Sequence, residues 1–155
     1  MRVLREFHSA LGACIDDAGG TIERFTGDGV MVFFNDPEPV VNPCALALRF
    51  AVDVRARTGE LSARWAREGF VLNAGIGIAY GYATVGAIGY EGRVDYGAIG
   101  SVTNLAARLC SEADGGEILV QQRAMALAGD GFVAGATEVF ALKGFRETVL
   151  AVRLG

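Results

Sequence analysis

The sequence contains few of the residues from which catalytic or structural sites are most often built. The one histidine among the 155 residues, His8, lies off the apolar stripe of Leu4, Phe7 and Leu11, and we interpret it as a surface residue. No Ser/His/Asp or Cys/His catalytic set can be proposed around it.

The three cysteines, Cys14, Cys44 and Cys110, are odd in number and far apart, and none forms a C-x-x-C motif. This pattern argues against a disulfide framework or a cysteine metal site. It predicts buried, reduced thiols in a cytoplasmic protein.

Long apolar runs and an excess of basic residues are also missing. Hydrophobic residues make up 52% of the chain, but no run approaches the roughly 18 residues of a membrane span. The charged opening, Met1 to Glu6, does not have the pattern of a signal peptide. With 14 basic and 18 acidic residues the net charge is −4 and the pI about 5.0, which argues against a nucleic-acid partner. We expect a single domain over residues 1–155.

Hydrophobic periodicity predicts the elements of the first half. Gly19-Gly20 ends the first helix, and Asn42-Pro43 provides the N-cap and first position of the second. Asp28-Gly29 lies between two apolar runs, which is a strong hairpin signal. The predicted elements are a helix from Leu4 to Ala18, strands Thr21–Phe25 and Val30–Phe34, and a helix Cys44–Arg57, with Leu61–Arg67 as a candidate extension past Gly59.

The second half predicts further strands and a third long helix. The predicted elements are a hairpin of Val71–Tyr80 and Ala83–Ile88 turning near Gly81, a glycine-rich loop Gly89–Gly100, a helix Val102–Ala113, a strand Ile118–Val120, a helix Arg123–Ala128, and strands Val133–Leu142 and Thr148–Leu154. This order predicts an α+β fold, a ferredoxin-like βαββαβ arrangement that lacks its first strand.

Asp28 is a candidate metal ligand at the tip of the first hairpin. A turn aspartate selected for its backbone preferences is the simpler interpretation. The alternative is a carboxylate held on a rigid hairpin for a hard cation such as Mg²⁺. The residue alone does not separate the two.

Asn104 and Arg108 are four residues apart, so they share one face of the predicted third helix. A solvated polar face would explain them equally well. The preceding Gly97-Ala98-Ile99-Gly100, with Ser101 as the expected N-cap, favours an anion near the helix start. Arg108 would then meet the charge of a phosphoryl group.

The pattern Gly75-x-Gly77-x-x-x-Gly81 is not the dinucleotide fingerprint. Its third glycine is misplaced, and no strand-to-helix switch follows. We interpret these residues as strand glycines that allow close approach of another backbone.

Taken together, these motifs resemble the class III nucleotidyl cyclase catalytic domain, the adenylate and guanylate cyclase family. The resemblance extends over almost the whole chain, in the family's order. The matching segments are Ile22–Phe34, Ala74–Gly81, Val85–Gly89, Arg93–Tyr96, the helix of Asn104 and Arg108, Gly116–Val120, and Ala141–Gly144.

The resemblance implies a role for each candidate. Asp28 resembles one of two aspartates that hold two Mg²⁺ or Mn²⁺ ions. Asn104 resembles the residue that orients the ribose, and Arg108 the one that stabilises charge on the α-phosphate. The reaction would convert ATP or GTP to a 3′,5′-cyclic nucleotide and pyrophosphate, in a homodimer or in a heterodimer with another cyclase. Lys143 and Arg146 are candidates for a further phosphate contact.

The chain departs from the family pattern at the base-binding positions. Arg24 stands where a base-reading lysine is usual, and Gly97 where its aspartate or threonine partner is usual. The guanylate pattern of glutamate and cysteine is absent, so we favour ATP over GTP. Ser101 and Thr103 replace an aspartate and a valine.

The family's first strand, which carries the first metal aspartate, has no counterpart in the sequence. Neither Asp16 nor Asp17, late in the first helix, replaces that aspartate. We expect an N-terminally incomplete catalytic domain. The alternative function is a catalytically silent cyclase-like module for dimerisation or nucleotide sensing. A ferredoxin-like RNA-binding domain would need a basic surface, which the pI of about 5.0 disfavours.

Overall fold

The computed structural model describes residues 2–26, 29–36, 38–70, 74–90 and 93–155, with the side chains of 24–26 and 84–99 outside that description. Four helices and eight strands are assigned in this part of the chain. The helices are α1 (Arg2–Ala18), α2 (Pro43–Arg67), α3 (Ser101–Glu112) and α4 (Gln122–Ala128). The strands are β1 (Thr21–Thr26), β2 (Gly29–Phe33), β3 (Ile76–Ile78), β4 (Thr84–Tyr90), β5 (Arg93–Ile99), β6 (Ile118–Gln121), β7 (Ala134–Phe140) and β8 (Val149–Leu154).

The strands form one four-stranded sheet and two hairpins. The sheet has the order β3-β6-β8-β7, in which β3 and β6 are parallel and the other neighbours antiparallel. The first hairpin pairs β1 with β2, and the second pairs β4 with β5. The predicted first hairpin and the two late strands are therefore confirmed, each within a few residues of its expected bounds.

The predicted pairing of the 71–80 and 83–88 segments is wrong. Ile76–Ile78 pairs with Ile118–Val120 in the parallel direction, whereas Thr84–Tyr90 pairs with Arg93–Ile99. Within the described part of the expected glycine-rich loop over 89–100 lie the end of β4 and the whole of β5. Glycine is uncommon inside strands, but Gly89 lies in β4 and Gly97 in β5, so the glycines of this segment misled the prediction.

The two long helices pack against each other through apolar side chains. Phe7 and Leu11 of α1 and Val54 and Trp65 of α2 are buried in one cluster. The predicted start of α2 is confirmed, because Oδ1 of Asn42 accepts a hydrogen bond from the backbone N–H of Ala45 at 3.0 Å. The helix continues past Gly59 as one element of 25 residues.

Strand β6 is buried on both faces and positions the helices around it. Ile118 and Val120 pack into a cluster with α2 and α4, whereas Leu119 points into a different cluster with α3. All three side chains are fully buried. Burying an aliphatic side chain of this size contributes about 1.5–3 kcal/mol, so β6 anchors α3 on one side of the sheet.

The cysteines follow the expectation at two of three positions. Cys14 and Cys44 are buried, and burial raises the pKa of both thiols. The prediction is wrong for Cys110, which is exposed on α3, because the buried side of that helix is filled by Leu105 and Leu109. Among the described helices, none combines the length and apolarity needed to cross a membrane.

Candidate functional site

Helix α3 presents Asn104 and Arg108 on its exposed side. Both side chains are exposed, whereas Leu105 and Leu109 on the adjoining face are buried. Buried leucines at this spacing fix the rotation of the helix about its axis. The predicted shared face of the amide and the guanidinium is therefore present in the folded chain.

The start of α3 differs from the prediction. Gly100, not Ser101, is the N-cap residue, and Ser101 is the first residue of the helix. No side chain caps the helix start. Thr103 instead holds the Gly100 carbonyl, which accepts from its hydroxyl at 2.7 Å and from its backbone N–H at 3.2 Å. The hydroxyl bond is a contribution that the sequence analysis missed, although a threonine three residues into a helix is a recognisable signal.

The segment that carries Lys143 and Arg146 lies beside α3. Leu142 is buried in the cluster that contains Leu105 and Leu109. The backbone N–H of Phe145 donates to the Leu142 carbonyl at 3.1 Å, so the segment turns at this point. Lys143 and Arg146 are both exposed in that turn. The fold thus brings the backbone that carries these two cations next to the helix of Arg108.

The two candidate base-binding residues lie on neighbouring strands. Arg24 is in β1 opposite Met31, next to a register irregularity at Ile22. Gly97 is in β5 opposite Gly86. Strands β1 and β5 are in contact, which places the two backbones in one region, while the side chain of Arg24 lies outside the described part.

The candidate metal ligand, Asp28, also lies outside the described residues. Within the described part, no three side chains of histidine, cysteine, aspartate or glutamate come together as a metal site. The described residues therefore contribute no metal ligand set of their own.

Glu117 ties the end of α3 to the four-stranded sheet. Its carboxylate accepts from the backbone N–H of Asp114 at 2.8 Å and from Nε of Arg153 at 2.7 Å. Arg153 also pairs with Glu138. The Asp114 N–H, followed by Arg153, lowers the pKa of Glu117. Arg153 is 36 residues from Glu117, so the sequence carries no local signal for this ion pair.

A second unpredicted contact fixes the chain between β3 and β4. The backbone N–H of Tyr80 donates to Oε1 of Gln121 at 2.9 Å. The guanidinium of Arg123 lies 5.5 Å from the centre of the Tyr80 ring, within the range of a cation–π contact. The residues that follow Tyr80 lie beside the start of α3, since a Cβ at Gly81 would be 3.3 Å from Cβ of Val102.

Proteins with a similar sequence and a similar fold are known. The family profile described as the adenylate and guanylate cyclase catalytic domain matches residues 1–153. The chain belongs to this family. An adenylate cyclase of Anabaena cylindrica is 32% identical over 111 residues, which cover 70% of this cyclase domain and 22% of that protein. The domain thus spans about a fifth of that relative's length.

Solved structures confirm the α+β cyclase fold. The guanylyl cyclase Cya2 superposes with a TM-score of 0.91 at 29% identity, covering 99% of the cyclase domain and 78% of that chain. The adenylyl cyclase CyaB from P. aeruginosa superposes with a TM-score of 0.88 at 30% identity, covering 99% and 81%. The resemblance inferred from the sequence motifs is therefore confirmed.

Proposed function

We propose that this cyclase domain converts a nucleoside triphosphate, with ATP favoured over GTP, to a 3′,5′-cyclic nucleotide and pyrophosphate. The observation that carries the proposal is the placement of Asn104 and Arg108. Both are exposed on one face of a helix whose other side is anchored by Leu105 and Leu109. An amide and a guanidinium held in this way supply orientation and positive charge, which phosphoryl transfer requires.

In this proposal the ribose 3′-oxygen forms a bond to the α-phosphorus as it loses its proton. The bond between the α-phosphorus and the bridging oxygen to the β-phosphate breaks, and pyrophosphate leaves. Asn104 hydrogen-bonds the ribose and holds the 3′-hydroxyl in line with the α-phosphorus. Arg108 donates to the oxygens on which negative charge increases in the transition state. Lys143 and Arg146 are proposed to contact the phosphates that leave.

We propose Asp28 as one ligand of the two Mg²⁺ or Mn²⁺ ions that the family uses. A carboxylate is the hard oxygen ligand that these ions prefer. Bound metal would lower the pKa of the 3′-hydroxyl and neutralise the triphosphate.

We propose that the site is shared between two protomers, with Asp28 of one facing Asn104 and Arg108 of the other. In support of this arrangement, the side chains of Asn104 and Arg108 are exposed on α3 and are accessible to a partner. The partner is a second copy of this chain or another cyclase domain. A lone protomer would then be inactive.

The preference for ATP is proposed from the base-binding positions. Arg24 can donate to an acceptor such as adenine N1, although its planar geometry differs from that of lysine. Gly97 offers no side chain to the base. The two solved relatives do not decide the preference, since one is a guanylyl and the other an adenylyl cyclase. The curated relative is named an adenylate cyclase, which supports ATP.

The test is turnover by the purified full-length protein with Mn²⁺ and either ATP or GTP, with the cyclic product identified by chromatography. We expect cyclic AMP to exceed cyclic GMP, and Asp28→Ala or Arg108→Ala to abolish the product. The control is Glu112→Ala, which changes an exposed residue at the far end of α3 and should leave product formation unchanged. Product formation that both alanine substitutions leave unchanged would refute the assigned roles.

The second candidate is a catalytically silent cyclase-like module that binds nucleotide or mediates dimerisation. The glycine at position 97, facing Gly86 across the hairpin, favours it, because this pair gives the base no polar partner. Calorimetry with ATP and Mn²⁺ measures binding, and together with the turnover assay it separates the two candidates. Binding by a full-length dimer without turnover would select the silent module.

A further inference from the structure

Three glycines lie along one side of α3, so close to the helix that an added side chain would crowd its atoms. A Cβ at Gly75 would lie 2.6 Å from the carbonyl oxygen of Ala113, at the end of the helix. A Cβ at Gly81 would lie 3.3 Å from Cβ of Val102, at its start. The 75–81 segment thus crosses the helix from its end to its beginning. We refer to Gly75, Gly77 and Gly81 as the glycine seam.

Gly77 makes the closest approach of the three. A Cβ there would lie 2.3 Å from the backbone nitrogen of Cys110 and 2.4 Å from the carbonyl oxygen of Ala106. Those two atoms are four residues apart, so they are the donor and acceptor of one hydrogen bond of the helix. The strand therefore lies directly on the turn that contains Arg108.

The strand at the seam is held from its other side. Ile76, Gly77 and Ile78 are paired in register with β6, whose apolar side chains are fully buried. The backbone N–H of Ile76 donates to the Glu117 carbonyl at 3.0 Å. The Cys110 thiol also donates to the Gly75 carbonyl at 3.3 Å, joining the helix to the seam. A side chain at the seam would therefore displace α3 rather than β3.

We propose that Gly77, with Gly75, is a positioning residue of the cyclase reaction. The absence of side chains at these glycines sets the distance between α3 and the sheet. That distance determines where Asn104 and Arg108 meet the nucleotide, so the inference rests on the proposed function. Gly77 packs against backbone atoms of α3, and in this proposal both glycines act through the positions of Asn104 and Arg108.

Gly77→Ala is the direct test in the full-length protein. Ordinary contacts between heavy atoms are about 3.5–4 Å, so the added methyl moves the turn of Arg108 outward by about 1 Å. A misplacement of about 1 Å can cost about 100-fold in rate. We expect kcat to fall by about that factor while KM stays within about threefold, because Asn104 and Arg108 act in the transition state.

The seam predicts a graded series. Gly77→Ala should reduce kcat most, since Gly77 lies against the helical turn from Ala106 to Cys110, which contains Arg108. Gly75→Ala should reduce it less, since Gly75 lies beside Ala113, after the end of the helix. Gly81→Ala should have the smallest effect, because its nearest neighbour is the side chain of Val102 at 3.3 Å. If Gly77→Ala fails to fold, the remaining pair still tests the proposal, because Gly75→Ala should reduce kcat more than Gly81→Ala does.

Two control variants separate positioning from general damage. Gly59→Ala adds a methyl in α2, where it would meet no atom within 4 Å apart from its chain neighbours and the backbone of its own helix turn, and should leave kcat and KM unchanged. Leu11→Ala removes a buried side chain between α1 and α2. It should lower the melting temperature at least as much as Gly77→Ala, while kcat measured well below melting stays near the wild-type value.

A crystal structure of Gly77→Ala or Gly75→Ala, compared with Gly59→Ala, supplies a readout besides activity. We expect α3 to be displaced from β6 by about 1 Å in the seam variant and unmoved in the control. An unmoved α3, or a folded Gly77→Ala enzyme with wild-type kcat, would overturn the proposal. A wild-type protein without turnover would instead refute the proposed function, and the displacement would still report whether the seam sets the helix position.

Discussion

The indole Nε1 of Trp65 donates a hydrogen bond to Oε2 of Glu6 at 3.1 Å, which joins α2 to α1. Arg64 and Arg2 also pair with this carboxylate. The pKa of Glu6 is lowered mainly by the hydrogen bond from Trp65, and the charges of Arg64 and Arg2 lower it further. The pKa of Glu117, near the end of α3, is also lowered. Two glutamates at opposite parts of the fold therefore bind their protons less readily when the chain is folded.

The first prediction is a loss of stability in acid. Near pH 4 the unfolded chain binds more protons than the folded one, because the folded pKa values of Glu6 and Glu117 lie below the ordinary value of about 4.3. The stability they contribute is present above that value and is lost as the pH falls through the folded pKa. Chemical denaturation between pH 7 and pH 3 should show this decline.

Glu6→Gln is the matched variant, because glutamine keeps an oxygen that accepts from Trp65 but carries no charge. The decline between pH 5 and pH 3 should be shallower in this variant than in the wild type. An identical pH dependence of the two proteins would show that Glu6 does not contribute.

The second prediction concerns two helical glycines with free space around them. An added Cβ at Gly12 in α1 or Gly59 in α2 would meet no atom within 4 Å apart from its chain neighbours and the backbone of its own helix turn. Alanine at either position should stabilise the protein by about 0.5–1 kcal/mol, because glycine loses more backbone entropy in a helix. Thermal denaturation would measure the gain.

Gly116→Ala is the control for these substitutions. It also has open space around an added Cβ, but its φ of +84° lies in the left-handed region. Alanine there should destabilise the protein. Stabilisation at all three positions would mean that backbone conformation does not decide the sign.

The third prediction concerns the double role of Asn42. Its oxygen caps α2 through the Ala45 N–H at 3.0 Å, and its Nδ2 donates to the carbonyls of Leu127 and Ala128 at the end of α4, each at 3.3 Å. Asn42→Ala should cost about 1–2 kcal/mol through loss of the cap alone. Asn42→Asp keeps the acceptor and loses the donor, so its cost should be smaller. Equal costs would place the main contribution in the contact with α4.

Local signals in the sequence predicted much of this fold. Gly19-Gly20 ends α1, and Asn42-Pro43 begins α2, because each acts through backbone conformation and hydrogen bonds of its immediate neighbours. The pairing of Ile76–Ile78 was not predictable in this way. Its partner, Ile118–Val120, lies beyond the second hairpin and α3, and a short apolar run does not specify which distant strand it joins.

In the candidate site, too, the features set by local sequence were predicted and those set by distant contacts were not. Helical spacing was enough to place Asn104 and Arg108 on one face. The interpretation of the glycines as strand residues approached by another backbone is confirmed for Gly77 in β3. Gly75 meets a backbone oxygen but lies outside the strand, and Gly81 lies outside the strand and meets the side chain of Val102. The wrong N-cap at Ser101 and the missed pairing of Glu117 with Arg153 depend on the surrounding structure. Asp28 and the side chain of Arg24 remain predictions, since they lie outside the described residues.

The most direct test of the shared site is complementation between two inactive variants. Asp28→Ala and Arg108→Ala are purified separately, mixed in equal amounts, and assayed with Mn²⁺ and ATP after the subunits exchange. Each mixed dimer would contain one site with both residues intact, so about a quarter of the wild-type activity should return if protomers pair at random. A mixture that forms mixed dimers yet stays inactive would contradict a catalytic site built from Asp28 of one protomer and Arg108 of its partner.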